Sequence, residues 1–487
     1  MDRLIVTLLA STLVGCGARV SPELPLTCDG PASHLGCEFW ATSTLSAALH
    51  EGFVFGVAVS NPSNEEARVE IQGGRLSAPI ARVVAPRASA VIDLPWIFDL
   101  SGHESNVCGV AFHDNPPNAP RVAQGSYRIT SNRPVSVTQY SPLSSENHAS
   151  ELMCSRSFSR DSSLLWPTRA LGQRYRIAPL PEVPLGPSTS RAFVTVIGTR
   201  DRATSVTLDG SAMLADPDRP GMFRRPPYRF SLRRGEAMQF ALSGGETATT
   251  SIESDGPIAV FSGHDCVRIP ADFEACDHIE EQARPVDSWG REYAITPLQD
   301  RLQAAPVLVR FVAGDAPVQL SFDGIRPPAQ CSSLAARAAC EFETSDGFSV
   351  RGTSAFLAEQ YTRSLGAVDG CAMQNFDDRR CFGDPSMLSI TASELFLSEY
   401  HFTVIDPMFD SSVAITAPAG TTILLDGSPV SARALPTGAG WAAYHVRVSL
   451  GDHAVTSSDG ARFGLALYGS SFYSTYASSA GAAVSPR

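Results

Sequence analysis

The sequence predicts an all-β protein built of tandem antiparallel β-sandwich-like modules, with four internal repeats. Three observations carry this reading. Glycine (38) and proline (35) are abundant. Apolar residues fall in short alternating runs rather than at helical spacing. Three sequence signatures also recur four times in the same order. Alternating runs bounded by Gly, Pro, Asp and Ser read as strands and turns. Only Ser332 to Ala339 and Ser386 to Phe396 read as short helices. A β-propeller-like ring of four repeats is the alternative, although its blades are usually about 40–50 residues long.

The first signature is an opening strand with an aromatic: Glu38-Phe39-Trp40, Arg174-Tyr175-Arg176, Glu292-Tyr293-Ala294 and Glu399-Tyr400-His401. Its aromatics are spaced 136, 118 and 107 residues apart, about one domain each. The second is a pair of strands ending in a tight turn, at Phe55 to Gly73, Phe193 to Gly210, Val307 to Gly324 and Val413 to Gly427. Three of these end in Asp-Gly, whose glycine readily takes the positive φ of a hairpin turn. The third is a closing strand after a polar turn, starting at Ser131, Ser254, Gly352 and Ser458. The modules then span 36–165, 166–285, 286–394 and 395–481, with a tether at 16–35 before them and a tail at 482–487. An immunoglobulin-like sandwich suits this module size.

Residues 1–15 read as a lipoprotein signal peptide. Leu4 to Val14 is apolar but too short to span a bilayer. Leu13-Val14-Gly15-Cys16 resembles a lipobox, with Cys16 as the lipidation site. Gly17 in place of Asp then favours the outer membrane of a Gram-negative cell. The N-terminal lipid is the expected membrane contact. Of the 11 cysteines, ten remain beyond Cys16: Cys28, Cys37, Cys108, Cys154, Cys266, Cys276, Cys331, Cys340, Cys371 and Cys381. An even count behind an export signal reads as a disulfide framework, and nearest-neighbour pairing closes mostly small loops. Zinc-finger spacing is absent.

The net charge of −12 argues against nucleic acid. All 38 basic residues are arginine, which excludes Schiff-base lysines, a Walker A lysine and a Ser-Lys dyad. No G-x-S-x-G or H-E-x-x-H occurs either. The densest chemical cluster is His264, Asp265, Asp277, His278, Glu280 and Glu281, which a Cys266–Cys276 bond would gather at one loop base. Such a set could hydrogen-bond the loop, hold a divalent cation or supply an acid and a base. No cofactor is expected beyond that possible cation. The Asp209-Gly210, Asp323-Gly324 and Asp426-Gly427 pairs read as hairpin turns before calcium ligands, and Asp377, Asp378 and Asp384 call for the same reading. Trp441 and Tyr473 could stack on glycans, whereas Trp166 and Trp289 are expected in module joints.

The run PIAVFSGHDC from Pro257, then CDHIEEQARPVDSWGREYAITPL from Cys276, resembles the N-terminal domain family of IgG Fc-binding protein. Arg234-Gly235-Glu236, Gly383-Asp384-Pro385-Ser386-Met387, Leu425-Asp426-Gly427, Gly451-Asp452-His453-Ala454-Val455 and Phe463 to Gly469 extend the likeness in order. It covers roughly Gly36 to Gly481. The resemblance implies a secreted, disulfide-bonded, non-enzymatic binding module. The expected function is a surface-anchored binding or adhesion lipoprotein whose partner is an extracellular protein or glycan. A structural envelope protein and a secreted hydrolase are the alternatives.

Overall fold

The computed structural model describes residues 28, 32–47, 49, 53–102, 118–144, 160–185, 188–244, 249–273, 275–299, 305–365, 382–407, 409–471 and 473–484. Residues 1–15, Cys16, Cys108, Cys154, Cys371, Cys381 and the Asp377, Asp378 pair lie outside them.

The first stretch holds β1 (Gly36–Ala41), β2 (Val54–Ser60), β3 (Ala67–Gly73), β4 (Ile80–Val84), β5 (Ser89–Leu94), β6 (Arg121–Val122), β7 (Tyr127–Ser144) and β8 (Asp161–Leu164). Strand β7 is long enough to serve two sheets. Its first half lies between β1 and β3, and its second between β2 and β8. Sheets β4–β3–β7–β1 and β5–β2–β7–β8 therefore share one strand. They stack over Val57, Val59, Val69, Ile71, Ile129 and Val137.

The second stretch holds β9 (Gly172–Ile177), β10 (Val183–Leu185), β11 (Ser188–Ser190), β12 (Ala192–Gly198), β13 (Thr204–Gly210), β14 (Met213–Ala215), β15 (Phe223–Arg224), β16 (Tyr228–Leu232), β17 (Ala237–Ser243), β18 (Thr250–Val267) and β19 (Asp277–Gln282). Strand β18 repeats the role of β7, in sheets β16–β13–β18–β9 and β17–β12–β18–β19. Strands β14, β15 and β6 extend the second of these.

The third stretch holds β20 (Glu292–Ile295), β21 (Val307–Ala313), β22 (Val318–Asp323), β23 (Ser333–Leu334), β24 (Ala339–Thr344), β25 (Phe348–Gly352), β26 (Phe356–Tyr361) and β27 (Met387–Ser389). The long strand is broken here, giving β23–β22–β25–β20 and β24–β21–β26–β27. The fourth stretch holds β28 (Glu399–Val404), β29 (Asp410–Pro418), β30 (Ile423–Leu425), β31 (Ser428–Pro429), β32 (Leu435–Pro436), β33 (Trp441–Arg447), β34 (Gly451–Ser457), β35 (Gly464–Ser471) and β36 (Ser474–Ser479). Its sheets are β31–β30–β34–β28 and β32–β33–β29–β35–β36.

Burial separates the two sheets of each sandwich. β3, β13 and β22 alternate buried and exposed residues, as strands with one wet face do. β12 is buried at every position and β2 and β21 at nearly every one, because their sheets are covered on both faces. These inner sheets end in β8, β19, β27 and β36. Strand β8 lies beside β19 and β36, and β27 lies beside the same two strands. The four edge strands thus close a ring, and the packing of edges against edges leaves them buried.

A recurrent device marks the switch between sheets. The Tyr175 hydroxyl donates to the Ile258 carbonyl at 2.6 Å, where β18 passes from one sheet to the other. Tyr293 donates to Phe356 at 2.5 Å, and Tyr400 to Phe463 at 2.5 Å. These are the aromatics of the opening-strand signature, and Phe39 holds that place in the first sandwich without a hydroxyl. A 3-10 turn precedes each tyrosine at one spacing, from Pro167, Pro285 and Ala392. Asp426 (φ 49°) and Gly427 (φ 78°) form the two-residue turn between β30 and β31, as Asp-Gly predicts. Asp209 and Gly210 instead continue β13 against β18 and make no hairpin turn, because the ladder to Ser251 and Thr250 extends through them.

Neither helix expected from sequence forms. Within Ser332 to Ala339 the chain leaves a 3-10 turn and enters β23, which pairs with β22. Within Ser386 to Phe396 it makes β27 and then a 3-10 turn. Strand pairing and the Cys331–Cys340 bond override the local propensity in the first case, and closure of the ring does so in the second. Cys28 pairs with Cys37, Cys266 with Cys276 and Cys331 with Cys340, all as nearest neighbours. No helix among the described residues is long and apolar enough to cross a membrane.

Residues 32–34 meet 482–484. Ser33 bridges Ala483, and the backbone N–H of His34 donates to the Ala482 carbonyl at 2.9 Å. Burial lowers the His34 pKa from 6.5 to about 4, so the folded protein holds this imidazole neutral. Between those values the unfolded chain binds the extra proton, so stability falls as pH falls, by about 3 kcal/mol near pH 4. Burial raises the pKa values of Asp161, Asp277 and Glu281, and these act with the opposite sign. The expected result is therefore a difference. His34→Gln should raise the urea midpoint at pH 4.5 relative to that at pH 7, compared with the parent, and an unchanged relation between the two would refute the assignment.

Candidate functional site

Strand β19 carries most of the predicted cluster, and all six of its residues are buried. It pairs with the second half of β18, with His264 opposite Ile279 and Val267 opposite Asp277. The Cys266–Cys276 bond closes the loop between them. This register brings the predicted residues onto two adjacent strands, but their side chains go to different partners.

His264 and Asp265 stay together, 3.4 Å apart, at the start of that loop. The His264 Nδ1 accepts the Cys266 N–H at 3.2 Å, which leaves Nε2 to donate to the Pro181 carbonyl at 3.1 Å. Asp265 accepts the Arg191 N–H at 2.7 Å and the Ser190 hydroxyl. Both residues therefore tie the loop to the chain around β11 (Ser188–Ser190).

His278 and Glu280 point instead into the first sandwich. The His278 Nε2 lies 3.3 Å from the Thr44 hydroxyl, and its ring stacks on Phe193 at 5.9 Å. Glu280 accepts the Thr44 hydroxyl and the Gln139 side-chain amide, the latter at 2.8 Å. Asp277 accepts the N–H of Arg160 at 3.0 Å and of His278 at 2.8 Å. Glu281 faces the ring centre, accepting the Ser163 hydroxyl at 3.1 Å and the Ser389 N–H at 3.2 Å.

The residue at the middle of this network is Asp161, at the start of β8, which the sequence reading did not single out. Its Oδ2 accepts the N–H of Glu280 at 3.1 Å and of Met387 at 3.0 Å. Its Oδ1 accepts the N–H of Ser162 at 2.8 Å and of Ala477 at 3.3 Å. One carboxylate thus holds a backbone donor from each of β8, β19, β27 and β36. Burial raises its pKa, while the N–H groups of Met387, Ser162 and Glu280 oppose that shift. Burial also raises Asp277, reinforced by Asp384 and Asp161. The only sequence signal for Asp161 is its place at the head of a short polar strand, a place that reveals its importance only when the four edge strands are superposed.

Arginines complete the joints. Arg160 is buried between the first and fourth sandwiches, paired with Asp406. Arg310 pairs with Glu341 and donates to the Ala178 carbonyl at 2.6 Å, across the second and third. Arg284 lies 4.6 Å from the Trp166 ring, and its carbonyl accepts the Trp289 indole N–H at 3.2 Å. Trp166 and Trp289 therefore sit in the joints as expected, while Trp441 and Tyr473 are half-buried.

Chemically, these acids and bases are held by hydroxyls, a side-chain amide and backbone donors away from solvent, with Asp277 Oδ2 buried without a hydrogen-bond partner among the described residues. Among the described residues, no group of three or more His, Cys, Asp or Glu is arranged to hold a metal ion. A small cleft of about 40 Å³ between the third and fourth sandwiches is lined by Thr296, Gln360, Thr391, Thr416 and Ser479 among apolar side chains, without an acid or base. The arrangement does the work of a lock between sandwiches.

A family model described as IgGFc binding protein matches residues 161–469. Human IgGFc-binding protein is 29% identical over 138 residues, which are 28% of this chain. The match spans 2% of the human protein's length. No solved structure matches. The family match covers more than half of the sequence, from the hub aspartate through β35, and on that ground the chain belongs to the IgGFc binding protein family.

Proposed function

We propose that this chain is an extracellular, non-enzymatic binding protein, lipid-anchored through Cys16, whose four tandem modules at 36–165, 166–285, 286–394 and 395–481 present a protein or glycan binding surface. One observation carries the reading. The cluster residues on β19 that could have served catalysis are spent on partners in neighbouring sandwiches, whereas the outer sheets keep one polar face in water. Function is then left to the outer faces and to the loops, where binding residues on rigid scaffolds usually lie. Disulfides at Cys28–Cys37, Cys266–Cys276 and Cys331–Cys340 restrain short loops and support the same reading. Asp277, His278, Glu280 and Glu281 enter it as residues that join neighbouring sandwiches, and His264 and Asp265 as ties of the Cys266–Cys276 loop.

The test is a pull-down with the purified Cys16→Ser chain against immunoglobulin, mucin and a glycan array. Saturable binding that is lost when the disulfides are reduced is expected. Failure to retain any of the three would reject recognition and favour a structural role in the envelope.

A further inference from the structure

The charge of the chain is unevenly placed. Residues 200–234 contain eight arginines and four aspartates, a net +4 within a protein of net −12. Three of the eight are neutralised: Arg200 by Asp255, Arg224 by Asp216 and Asp218, and Arg234 by Asp201. The other five, Arg202, Arg219, Arg225, Arg229 and Arg233, are exposed. Their guanidinium groups make no ion pair or hydrogen bond with any described residue.

Their placement is continuous. Arg229 stands on β16, opposite Thr207 of β13, on the face turned away from the core residues Tyr228, Phe230 and Leu232. Arg225 precedes that strand and Arg233 follows it. The Arg234–Asp201 pair brings the turn bearing Arg202 against the turn bearing Arg233. The Arg224–Asp218 pair does the same for Arg219 beside Arg225. Strand β16 is the outer edge of its sheet, and Pro226 and Pro227 precede it. Proline and charge resist the addition of another strand there, so a partner must be held by side chains.

We propose that this strip along β16 binds an anionic polysaccharide, through guanidinium contacts with sulfate or carboxylate groups. The inference deepens the binding reading above and rests on it. Guanidinium groups grip such oxyanions with two parallel N–H donors, which ammonium groups cannot do. Glu236 accepts the Arg233 N–H and pairs with Arg121, so that acid is already engaged, and Asp209 on β13 is one exposed acid beside five unpaired arginines. Single-stranded nucleic acid would need exposed aromatic faces for its bases, and the large exposed apolar residue of this region is Met222. An anionic glycan needs only the charge and the hydrogen bonds that the strip supplies.

The experiment compares retention of the Cys16→Ser chain on immobilised dextran sulfate and on neutral dextran. Three proteins are run: the parent, Arg225→Ser/Arg229→Ser/Arg233→Ser, and a charge-matched control, Arg68→Ser/Arg82→Ser/Arg326→Ser. All six positions are exposed, so equal melting temperatures are expected. The parent should bind dextran sulfate alone and elute with salt. The strip variant should bind at least about tenfold more weakly, while the control stays within about twofold. The proposal is overturned if the parent is not retained, if the strip variant binds like the parent, or if the control loses as much. Equal retention on single-stranded DNA would also overturn it, in favour of indiscriminate polyanion binding. A ligand found by pull-down that binds the strip variant undiminished would leave the wider reading standing and remove only the strip.

Discussion

Asp161→Ala should lower the unfolding free energy by about 3–6 kcal/mol, because it strands backbone donors of three neighbouring strands in a dry centre. The carboxylate accepts N–H groups from Glu280, Met387 and Ala477, each on a different edge strand of the ring. Each buried donor left without a partner costs about 1–3 kcal/mol, and a methyl group cannot replace the acceptor. The change is read as a fall in the urea midpoint. Asp209→Ala serves as the comparison, since Asp209 is exposed and accepts only the neighbouring Gly210 N–H. It should stay within about 0.5 kcal/mol of wild type. An Asp161→Ala midpoint close to that of Asp209→Ala would mean that the ring does not depend on its hub.

The second large effect belongs to Arg160. Its side chain is 0% exposed and pairs with Asp406, whose side chain is 12% exposed. The guanidinium also donates to the Leu143 carbonyl at 2.6 Å and lies 4.5 Å from the Phe409 ring centroid. Arg160→Met keeps much of the volume but leaves Asp406 without its cation, and breaking such a pair costs about 3–5 kcal/mol. Replacing both members by apolar residues is far less costly, since no uncompensated charge remains. Arg160→Met/Asp406→Leu should therefore recover at least half of the single-variant loss in thermal unfolding. A double variant as unstable as the single one would show that the arginine acts by its stem and its carbonyl contact rather than by its charge. Arg160 and Asp161 are neighbours in one network, so their effects should not add.

The two residues with the largest predicted effects were invisible in the sequence, and the reason is physical. Arg160-Asp161-Ser162-Ser163 reads as an ordinary polar stretch, the composition of a surface turn. Its role comes from partners far along the chain, at Glu280, Met387 and Ala477. Local patterning carries no record of them. The reverse holds for His264, Asp265, Asp277, His278, Glu280 and Glu281. Their density near a disulfide loop was legible, and the Cys266–Cys276 bond and the β18–β19 pairing do bring them onto adjacent strands. Strand alternation then aims successive side chains at opposite faces, so His278 and Glu280 meet Thr44 while Glu281 meets Ser163 and Ser389. Spacing in sequence could not distinguish one converged site from two seams.

By itself, the sequence determined the all-β class, the order of opening strand, strand pair and closing strand, and the Asp426-Gly427 turn. These depend on period-two burial and on local φ preferences, which neighbouring residues settle among themselves. The two strands of each pair, however, go to opposite sheets rather than to one hairpin. The sequence offered nearest-neighbour pairing of the cysteines without fixing it, and the structure makes that pairing at Cys28–Cys37, Cys266–Cys276 and Cys331–Cys340. Only the tertiary structure decided that the inner sheets close a ring and that the cluster on β19 is buried. It alone shows that five exposed arginines on and around β16 have no ion-pair partner among the described residues. It also decided against the helices at Ser332 to Ala339 and Ser386 to Phe396, because hydrogen bonds to distant strands outweigh the small propensity differences of short segments.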